Sequence, residues 1–223
     1  MPPLRIDYWI VPPKLRRFRR LRGSHFRLLD VGCGNHSPAV AKRWFPGCEY
    51  HGLDRDRYNN DASDYQLMDQ FYSLDLDTSP LDSIPDDFFD VIICAHVIEH
   101  LRNGLDVIEG LARKLAPQGE IYLEFPSVRS LGLPSLPGTL NFCDDPTHVR
   151  CYTLAEVCNR LLASGLRIRR AGRRRDWAQL ILTPVTACAS LLRRGTLMGG
   201  RVWDLCGFAD YVWGAKVNGA GPR

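Results

Sequence analysis

The chain repeats short, uninterrupted apolar runs, separated by longer segments in which apolar residues recur every three or four positions. The apolar runs predict strands at residues 26–31, 48–54, 71–76, 88–95 and 120–125, and further strands at 166–171 and 208–217. Strands without polar alternation are typical of a parallel sheet that helices cover on both faces. The pattern therefore predicts one α/β domain over residues 1–223.

Helical periodicity marks the segments that follow the fourth and fifth strands. Residues 97–116 predict an amphipathic helix that ends at Pro117-Gln118-Gly119. Residues 153–164 predict a second helix, which Thr153 caps with Glu156 three positions later. Between them, residues 126–152 are rich in Pro, Gly and Ser, and so long a loop in a compact domain is usually functional.

A glycine turn follows the first strand, in residues 28–34 (LLDVGCG), and a second acid, Asp54, ends the next strand about 20 residues later. Glycines let a ligand approach the backbone, and a carboxylate such as Asp54 can accept hydrogen bonds from both hydroxyls of a ribose. A carboxylate at Asp30 suits an ammonium group and would repel a pyrophosphate. The motif therefore predicts a nucleoside that carries an amino acid.

This run resembles the first motif of the class I S-adenosylmethionine-dependent methyltransferases. Three later runs follow it in the order of that family, at residues 52–54 (GLD), 72–76 (YSLDL) and 89–101 (FDVIICAHVIEHL). The resemblance implies a Rossmann-like sheet of seven mostly parallel strands, with an antiparallel strand near one edge, and S-adenosylmethionine as the cofactor. It divides the chain into a basic helical segment (1–25), a cofactor-binding core (26–125) and an acceptor-side part (126–223).

In this fold the ligand lies at the carboxyl ends of the strands, so the residues after each strand are the expected binding residues. Asp75 fits the end of the third strand better than Asp77, which is equally well explained as a solvated turn residue. The resemblance implies the following cofactor-binding residues: Asp30, Gly32, Cys33, Gly34, Asp54, Asp75, Leu76, Ala95 and His96.

Three histidines, His96, His100 and His148, are candidates for a general base. Methyl transfer from a sulfonium is an in-line displacement that needs a base only if the acceptor holds its proton. A histidine with a pKa of roughly 6.5 is largely neutral near pH 7 and can take that proton. His96 and His100 are four positions apart and are expected to share a helix face, although His100 is equally well explained as a helix-start residue.

The stretch at residues 144–150 (DDPTHVR) resembles one in methyltransferases of bacterial cell-surface polysaccharide and other glycan pathways. In this interpretation His148 takes a proton from an acceptor hydroxyl, Arg150 holds an acceptor phosphate or carboxylate, and Asp145 contacts the acceptor. In the alternative interpretation, Asp145 and His148 only satisfy polar groups within the loop.

The patterns that this family uses to methylate nucleic-acid amino groups, protein arginine or cytosine carbon 5 are missing after the fourth strand. We therefore expect an oxygen acceptor on a small molecule, a saccharide or a lipid- or nucleotide-linked sugar. Two alternatives remain: an RNA methyltransferase that uses the basic N-terminal segment, and a non-catalytic partner subunit that only binds the cofactor.

Two segments each allow two interpretations. Residues 4–22 predict a helix with many basic residues, which either covers the cofactor side of the sheet with a solvated basic face or contacts anionic lipid or nucleic acid. Residues 177–192 carry no charge, lie between arginine clusters, and are too short to span a membrane. They predict a helical hairpin over the substrate cleft, with peripheral contact of residues 173–194 with an anionic bilayer as the alternative.

Composition adds three expectations. A net charge of +4 is too modest to indicate a nucleic-acid partner, and the start of the chain lacks the continuous apolar core of a signal peptide, which favours the cytoplasm, including the inner face of the membrane. The eight cysteines form no Cys-x-x-Cys pair. The spacing of Cys143, His148, Cys151 and Cys158 matches no common zinc pattern, so we expect no metal site.

Overall fold

The computed structural model describes residues 11–217. Within that range the strands are β1 Phe26–Val31, β2 Cys48–Asp54, β3 Gln70–Ser73, β4 Phe89–Ala95, β5 Leu115–Pro126, β6 Leu166–Arg173 and β7 Ala209–Lys216. They form one sheet in the order β3-β2-β1-β4-β5-β7-β6, in which β7 runs antiparallel to both of its neighbours. The predicted Rossmann-like sheet of seven mostly parallel strands is confirmed.

Seven α-helices connect the strands of the described range: α1 Pro13–Arg16, α2 Ser37–Trp44, α3 Ala62–Gln66, α4 Gly104–Lys114, α5 Leu154–Ala163, α6 Trp177–Arg194 and α7 Trp203–Cys206. The capping box predicted at Thr153 is confirmed, because its hydroxyl accepts the Glu156 N–H at 3.2 Å and the Glu156 carboxylate accepts the Thr153 N–H at 2.8 Å. Helices α2, α3 and α4 connect β1 to β2, β2 to β3 and β4 to β5, whereas β3 and β4 are joined without an α-helix.

The sheet has a core on each face. Leu29 of β1 packs on one side with Ile108 and Leu111 of α4, whereas its neighbour Leu28 packs on the other side with Phe18 of the N-terminal segment. All five residues are at most 1% exposed. This alternation within one strand follows from the two-residue period of a β-strand.

The predicted helix at residues 97–116 is broken in the structure. Ile98–His100 form one 3-10 turn, Leu101 is extended, and α4 starts only at Gly104. The break is held by the buried Tyr152, whose hydroxyl donates to the Leu101 carbonyl at 2.9 Å and accepts the Gly104 N–H at 3.1 Å. His96 lies in the preceding turn with φ 57°, so it does not share a helix face with His100.

The described part of the N-terminal segment is not one continuous helix. Residues 4–10 lie outside the described range, and residues 11–22 form α1 and a 3-10 turn at Arg19–Leu21. Two of its basic residues pair with buried acids: Arg16 donates to Asp176 at 2.7 and 2.8 Å, and Arg20 donates to Glu120 at 2.6 Å, whereas Arg19 and Arg22 are exposed. These pairs fix the segment against the sheet.

Residues 177–194 form the single helix α6 instead of the predicted hairpin, and this helix continues through Pro184. Among the described residues, no helix combines the length and apolarity that a membrane crossing needs. A large cavity opens at the carboxyl ends of the parallel strands. Arg174, before α6, and Trp203, after it, line this cavity, but no residue of α6 does. The segment predicted to cover the cleft as a hairpin is therefore a single helix that does not line this cavity.

Candidate active site

A cavity of about 1020 Å³ lies at the carboxyl ends of β1, β2 and β4, where an open α/β sheet binds its ligands. Seven of the expected cofactor residues line it: Gly32, Gly34, Asp54, Asp75, Leu76, Ala95 and His96. The other end of the cavity is lined by His100, Glu124, Asp145, Thr147, Arg174 and Trp203. We refer to these as the cofactor half and the acceptor half.

The glycines of the turn are required by the protein itself. Gly32 has φ +71°, and a Cβ atom there would lie 2.5 Å from the Val97 side chain. A Cβ atom on Gly34 would lie 2.7 Å from the Tyr58 carbonyl oxygen, because the chain after β2 closes over the turn. A side chain at Gly32 or Gly34 would therefore clash with Val97 or Tyr58 in the cavity wall, whether or not a ligand is bound.

Asp30 and Cys33 do not line the cavity, in contrast to the prediction. The Asp30 carboxylate is 1% exposed and accepts hydrogen bonds from Ser37 at 2.5 Å and Tyr50 at 2.8 Å. Ser37 and Lys14 line the cavity in front of it, and the Lys14 ammonium lies 3.5 Å from Asp30. Asp30 thus orients Ser37 and Lys14 in the cavity wall, and its own carboxylate does not face the ammonium group of a ligand.

The Cys33 thiol is fully buried beside Gly52. Burial raises its pKa, and the negative charges of Asp30 and Asp54 raise it further. A thiol in such surroundings stays protonated and acts as a small apolar side chain. Cys94, near the end of β4, is buried in the same way, and burial raises the pKa of its thiol as well.

The cofactor half is acidic. Asp54, Asp56, Asp75 and Asp77 line it together, and Asp54 is half-buried at the end of β2. Burial raises the pKa of Asp54, although backbone N–H groups, including that of Gly34, act in the opposite direction. Carboxylates at this edge accept hydrogen bonds from ribose hydroxyls and an adenine amino group, and they would repel a pyrophosphate. These donors and acceptors fit S-adenosylmethionine better than a dinucleotide.

His96 lies at the boundary between the two halves, and both of its ring nitrogens are occupied. Nδ1 is 3.1 Å from Glu99 and Nε2 is 3.1 Å from Glu124. Burial lowers the pKa of His96, but the hydrogen bonds to the two glutamates outweigh it and raise the pKa to about 9. A histidine that is protonated at neutral pH cannot accept a proton, so His96 does not fit the role of general base that the sequence predicted for it.

The charge of His96 is part of a larger buried network. Glu124 also accepts the Tyr122 hydroxyl at 2.6 Å and lies 3.6 Å from Arg174, which in turn donates to Asp204 at 2.9 Å. Burial raises the pKa of Glu124, but the neighbouring Arg174 and His96 more than compensate and hold it well below its usual value. Cations and carboxylates alternate through the network, so each buried charge has a partner.

His100 and Asp145 line the acceptor half as predicted. The His100 Nδ1 atom lies 2.9 Å from the Thr147 hydroxyl, and that hydroxyl donates to Asp145 at 2.6 Å. The hydrogen bonds within the described residues leave the Nε2 atom of His100 without a partner. His100 is therefore the one of the three histidines that combines a place in the cavity wall with an available ring nitrogen.

His148 and Arg150 do not line the cavity. The His148 side chain is 5% exposed, and its Nδ1 atom lies 2.7 Å from the Phe142 carbonyl oxygen, with the ring of His100 between it and the cavity. The Arg150 guanidinium stacks over the Tyr152 ring and pairs with Glu156 at 3.0 Å. Arg150 thus contacts residues of its own loop and of α5, and it does not line the cavity.

A second cavity, of about 440 Å³, adjoins the first, because Pro13 and Arg174 line both. It is strongly basic and partly aromatic, with Arg16, Arg17, Arg170, Arg174, Arg175, Tyr122, Trp177, Tyr211 and Trp213 in its wall. Asp176 is its one lining carboxylate within the described residues, and Arg16 neutralises it.

The sequence missed several residues of the main cavity, among them Lys14, Glu124, Arg174 and Trp203. Lys14 belongs to a basic run and gives no signal that separates it from its neighbours. Arg174 and Trp203 lie far apart in the chain and meet only because β6 and β7 pair beside β5. Glu124 could have been found from the sequence, because it lies near the end of the strand predicted at residues 120–125, and strand ends in this fold face the ligand.

Comparison with known proteins agrees with this geometry. A model of the methyltransferase domain family matches residues 9–171, more than half of the chain. The ubiquinone biosynthesis O-methyltransferase of Dechloromonas aromatica is 29% identical over 126 residues, which cover 54% of this chain and 50% of that protein. The enzyme of the same name from Aeromonas salmonicida is 24% identical over 178 residues, covering 75% and 71%. The chain therefore spans about half the length of the first of these relatives.

Two solved structures share the fold. A methyltransferase from Archaeoglobus fulgidus described as SAM-dependent superposes with a TM-score of 0.57 at 18% identity, over 91% of each chain. The 1,6-didemethyltoxoflavin-N1-methyltransferase of Burkholderia thailandensis, solved with its substrate and S-adenosylhomocysteine, superposes with a TM-score of 0.56 at 13% identity, over 95% of this chain and 82% of that one. The chain thus belongs to the methyltransferase domain family, with the fold and cofactor site of class I S-adenosylmethionine-dependent enzymes.

Proposed function

We propose that this protein transfers a methyl group from S-adenosylmethionine to an oxygen of a saccharide or of a lipid- or nucleotide-linked sugar. The observation that carries the proposal is the polar acceptor half of the cavity. At about 1020 Å³ the cavity is at the upper end of small-molecule sites (roughly 300–1,000 Å³), so an acceptor has room beside the cofactor. The curated relatives named O-methyltransferase support an oxygen acceptor.

The cofactor supplies an electrophilic methyl group on a sulfonium, and the residues of this chain orient the two reactants. The acidic cofactor half holds the nucleoside, and Lys14 can pair with the carboxylate of its amino-acid part. His100, Asp145 and Thr147 offer hydrogen bonds to acceptor hydroxyls at the opposite end. The groups for one reactant are therefore separate from those for the other.

The basic second cavity supports an acceptor that carries phosphate. Arg170 and Arg175 are exposed and have no carboxylate partner within the described residues. Arginine binds phosphate through bidentate hydrogen bonds, and the aromatic residues of the wall suit a sugar or a base. Since Arg174 lines both cavities, a phosphate bound here would lie beside the acceptor half, where the sugar hydroxyl would meet the cofactor.

Helix α6 supports contact with an anionic bilayer, which would give access to a lipid-linked acceptor. Trp177, Ile181, Val185 and Leu192 form one exposed stripe along it, with Ile181 75% and Leu192 88% exposed. On the protein side Thr183 is buried instead, so the apolar face points outward. Exposed arginines flank the helix, and each basic residue near an anionic surface contributes about 1 kcal/mol.

Transfer of a labelled methyl group tests the acceptor class. Free monosaccharides, nucleotide sugars, pyrophosphate-linked lipid sugars and RNA are offered in parallel, and we expect labelling of a sugar oxygen, most rapidly in phosphate-bearing acceptors. Replacing Arg170 and Arg175 together by Gln should raise KM for those acceptors and leave the affinity for S-adenosylmethionine unchanged. Labelling of RNA alone, or cofactor binding without turnover on any acceptor, would refute the proposal.

Vesicle sedimentation tests the bilayer contact. Wild-type protein should sediment with vesicles that contain phosphatidylglycerol, and replacing Ile181 and Leu192 by Asp should abolish it. The matched control is Leu162→Asp on α5, which alters an exposed leucine outside the stripe. Equal sedimentation with neutral and anionic vesicles, or none with either, would contradict the contact.

A further inference from the structure

Two histidines and a buried carboxylate meet beside the acceptor end of the cavity, where His100 of the three lines the wall. Glu99 and His100 lie in the turn after β4, and the long loop brings His148 to them by hydrogen bonds from the Val149 and Arg150 N–H groups to the Glu99 carbonyl, at 2.9 and 3.2 Å. One possible ligand atom of each of the three side chains lies within 4.8 Å of the other two.

The hydrogen bonds around the two imidazoles select the tautomer that binds metals. His148 Nδ1 faces the Phe142 carbonyl oxygen at 2.7 Å, so this nitrogen carries the hydrogen. The Thr147 hydroxyl donates to Asp145, so it accepts from the His100 Nδ1–H at 2.9 Å. Both Nε2 atoms therefore keep a lone pair. A histidine that donates its other N–H to a carbonyl or hydroxyl oxygen is the usual arrangement at a metal centre.

The buried carboxylate of Glu99 is a second indication of a cation site. Its side chain is 1% exposed, and one carboxylate oxygen is held by His96. The other oxygen, Oε2, is buried without a hydrogen-bond partner among the described residues. A buried carboxylate oxygen without a partner is costly, and a cation between Glu99 and the two imidazoles would satisfy it.

We propose that Glu99, His100 and His148 bind a divalent first-row transition-metal cation at the acceptor end of the cavity. Imidazole and carboxylate ligands together favour Mn²⁺, Fe²⁺, Co²⁺ or Zn²⁺ over Ca²⁺. Ligand atoms at about 2.0–2.2 Å from a common ion lie at most about 4.4 Å apart, which is compatible with three ligand atoms that all lie within 4.8 Å of one another. Three protein ligands leave at least one coordination position open.

The position of the site assigns it a role in the reaction, and this part of the inference rests on the proposed methyl transfer to oxygen. A cation held by these three residues would supply Lewis-acid chemistry that lowers the pKa of the acceptor hydroxyl, whose proton would leave to water. The oxygen then forms a bond to the methyl carbon as the carbon–sulfur bond breaks, and that electron pair stays on sulfur in a neutral thioether. A cation would therefore replace the general base that the sequence predicted.

Cation binding is measured without cofactor or acceptor, so its outcome does not depend on the proposed function. After treatment with a chelator, the protein is titrated with Mn²⁺, Co²⁺ and Zn²⁺ by calorimetry, and bound Co²⁺ is followed by its visible absorption. We expect one site in the wild type, and an affinity at least about 100-fold lower in His148→Asn and in Glu99→Gln. Circular dichroism verifies that each variant is folded.

The matched control is His36→Asn. His36 lies in the other cluster of possible ligands, with Asp61 and Asp64, but their close contacts already form a helix cap and a histidine–carboxylate pair. We expect this variant to bind the cation as the wild type does. A wild type that binds none of the three ions, or that binds equally well after His148→Asn, would refute the site.

Methyl transfer then tests the catalytic role. Activity on the acceptor should be lost in the chelator-treated protein and restored by the ion that binds, with cofactor affinity unchanged throughout. Undiminished transfer by metal-free protein would refute the catalytic role. If no acceptor is methylated at all, the proposed function fails, and the calorimetric result still decides the site.

Discussion

The two halves of the cavity are built in different ways. The cofactor half consists of backbone turns and exposed or half-buried acids at consecutive strand ends, such as Gly32, Asp54 and Asp75. The acceptor half contains charges from segments far apart in the chain, Glu124 and Arg174, and His96 at the boundary between the halves pairs with Glu124. Groups in the first half act almost independently, whereas each charge in the second depends on its partners.

This difference has a consequence for mutations. Removing a solvated acid of the cofactor half costs ligand affinity and leaves the fold nearly unchanged. Removing one member of the buried network leaves other charges without a partner, so it costs stability as well as activity. Two substitutions test this distinction between the halves, and a third tests the loop at residues 135–148, which carries Asp145 and Thr147 of the acceptor half.

The largest effect is expected for Glu124→Gln. This change leaves the Arg174 guanidinium and the His96 imidazole with one carboxylate partner fewer, and we expect a loss of about 3–5 kcal/mol in the free energy of unfolding. It also removes one of the two carboxylates that raise the pKa of His96.

Urea denaturation measures the loss of stability. The control is Glu109→Gln, because Glu109 pairs with Arg160 on the surface and should contribute less than about 1 kcal/mol. Equal small losses in both variants would show that the acceptor half does not depend on its buried charges.

The second effect concerns affinity alone. Asp54→Ala removes the carboxylate that is expected to accept the ribose hydroxyls, each hydrogen bond to a charged group being worth about 1.5–3 kcal/mol. We expect S-adenosylmethionine to bind at least about 10-fold more weakly, with the melting temperature nearly unchanged. Calorimetry measures the affinity, and Asp82→Ala, an exposed acid outside the cavity, is the control. A large loss of stability in Asp54→Ala would contradict the independence of the cofactor half.

The smallest effect is expected for Asp144→Asn, which tests how the acceptor loop is held. The Asp144 carboxylate accepts the N–H groups of Leu136, Leu140 and Asn141 at 3.2, 2.9 and 2.8 Å and is also bonded by the Ser135 hydroxyl. We expect faster amide exchange across residues 135–148, measured by hydrogen–deuterium exchange, with unchanged exchange in the strands. No change in the loop would show that its packing alone holds it.

The same contacts predict a pH dependence. The Ser135 hydroxyl and the backbone N–H groups hold the pKa of Asp144 well below its usual value. Because the folded pKa is lowered, the stabilisation of the loop is present above the ordinary pKa of an aspartate, about 4, and is lost as the pH falls below it. The protection factors of the loop amides, which correct for the pH dependence of intrinsic exchange, should therefore fall in acid in the wild type and change less in Asp144→Asn.

The sequence alone determined the sheet, the glycine turn and the acids at the ends of β2 and β3. These features depend on short-range rules: apolar runs make buried strands, the φ of +71° at position 32 favours glycine, and parallel strand ends meet at one edge. The cap at Thr153 followed from local spacing in the same way.

Only the tertiary structure decided the acceptor half. Tyr152 breaks the helix expected at residues 97–116, and two glutamates turn His96 from a candidate base into a cation. Hydrogen bonds to the Glu99 carbonyl bring His148 next to His100, which no spacing rule predicts. The physical reason is that the charge and contacts of a buried polar group are set by partners from distant segments, and these partners meet only when the sheet has formed.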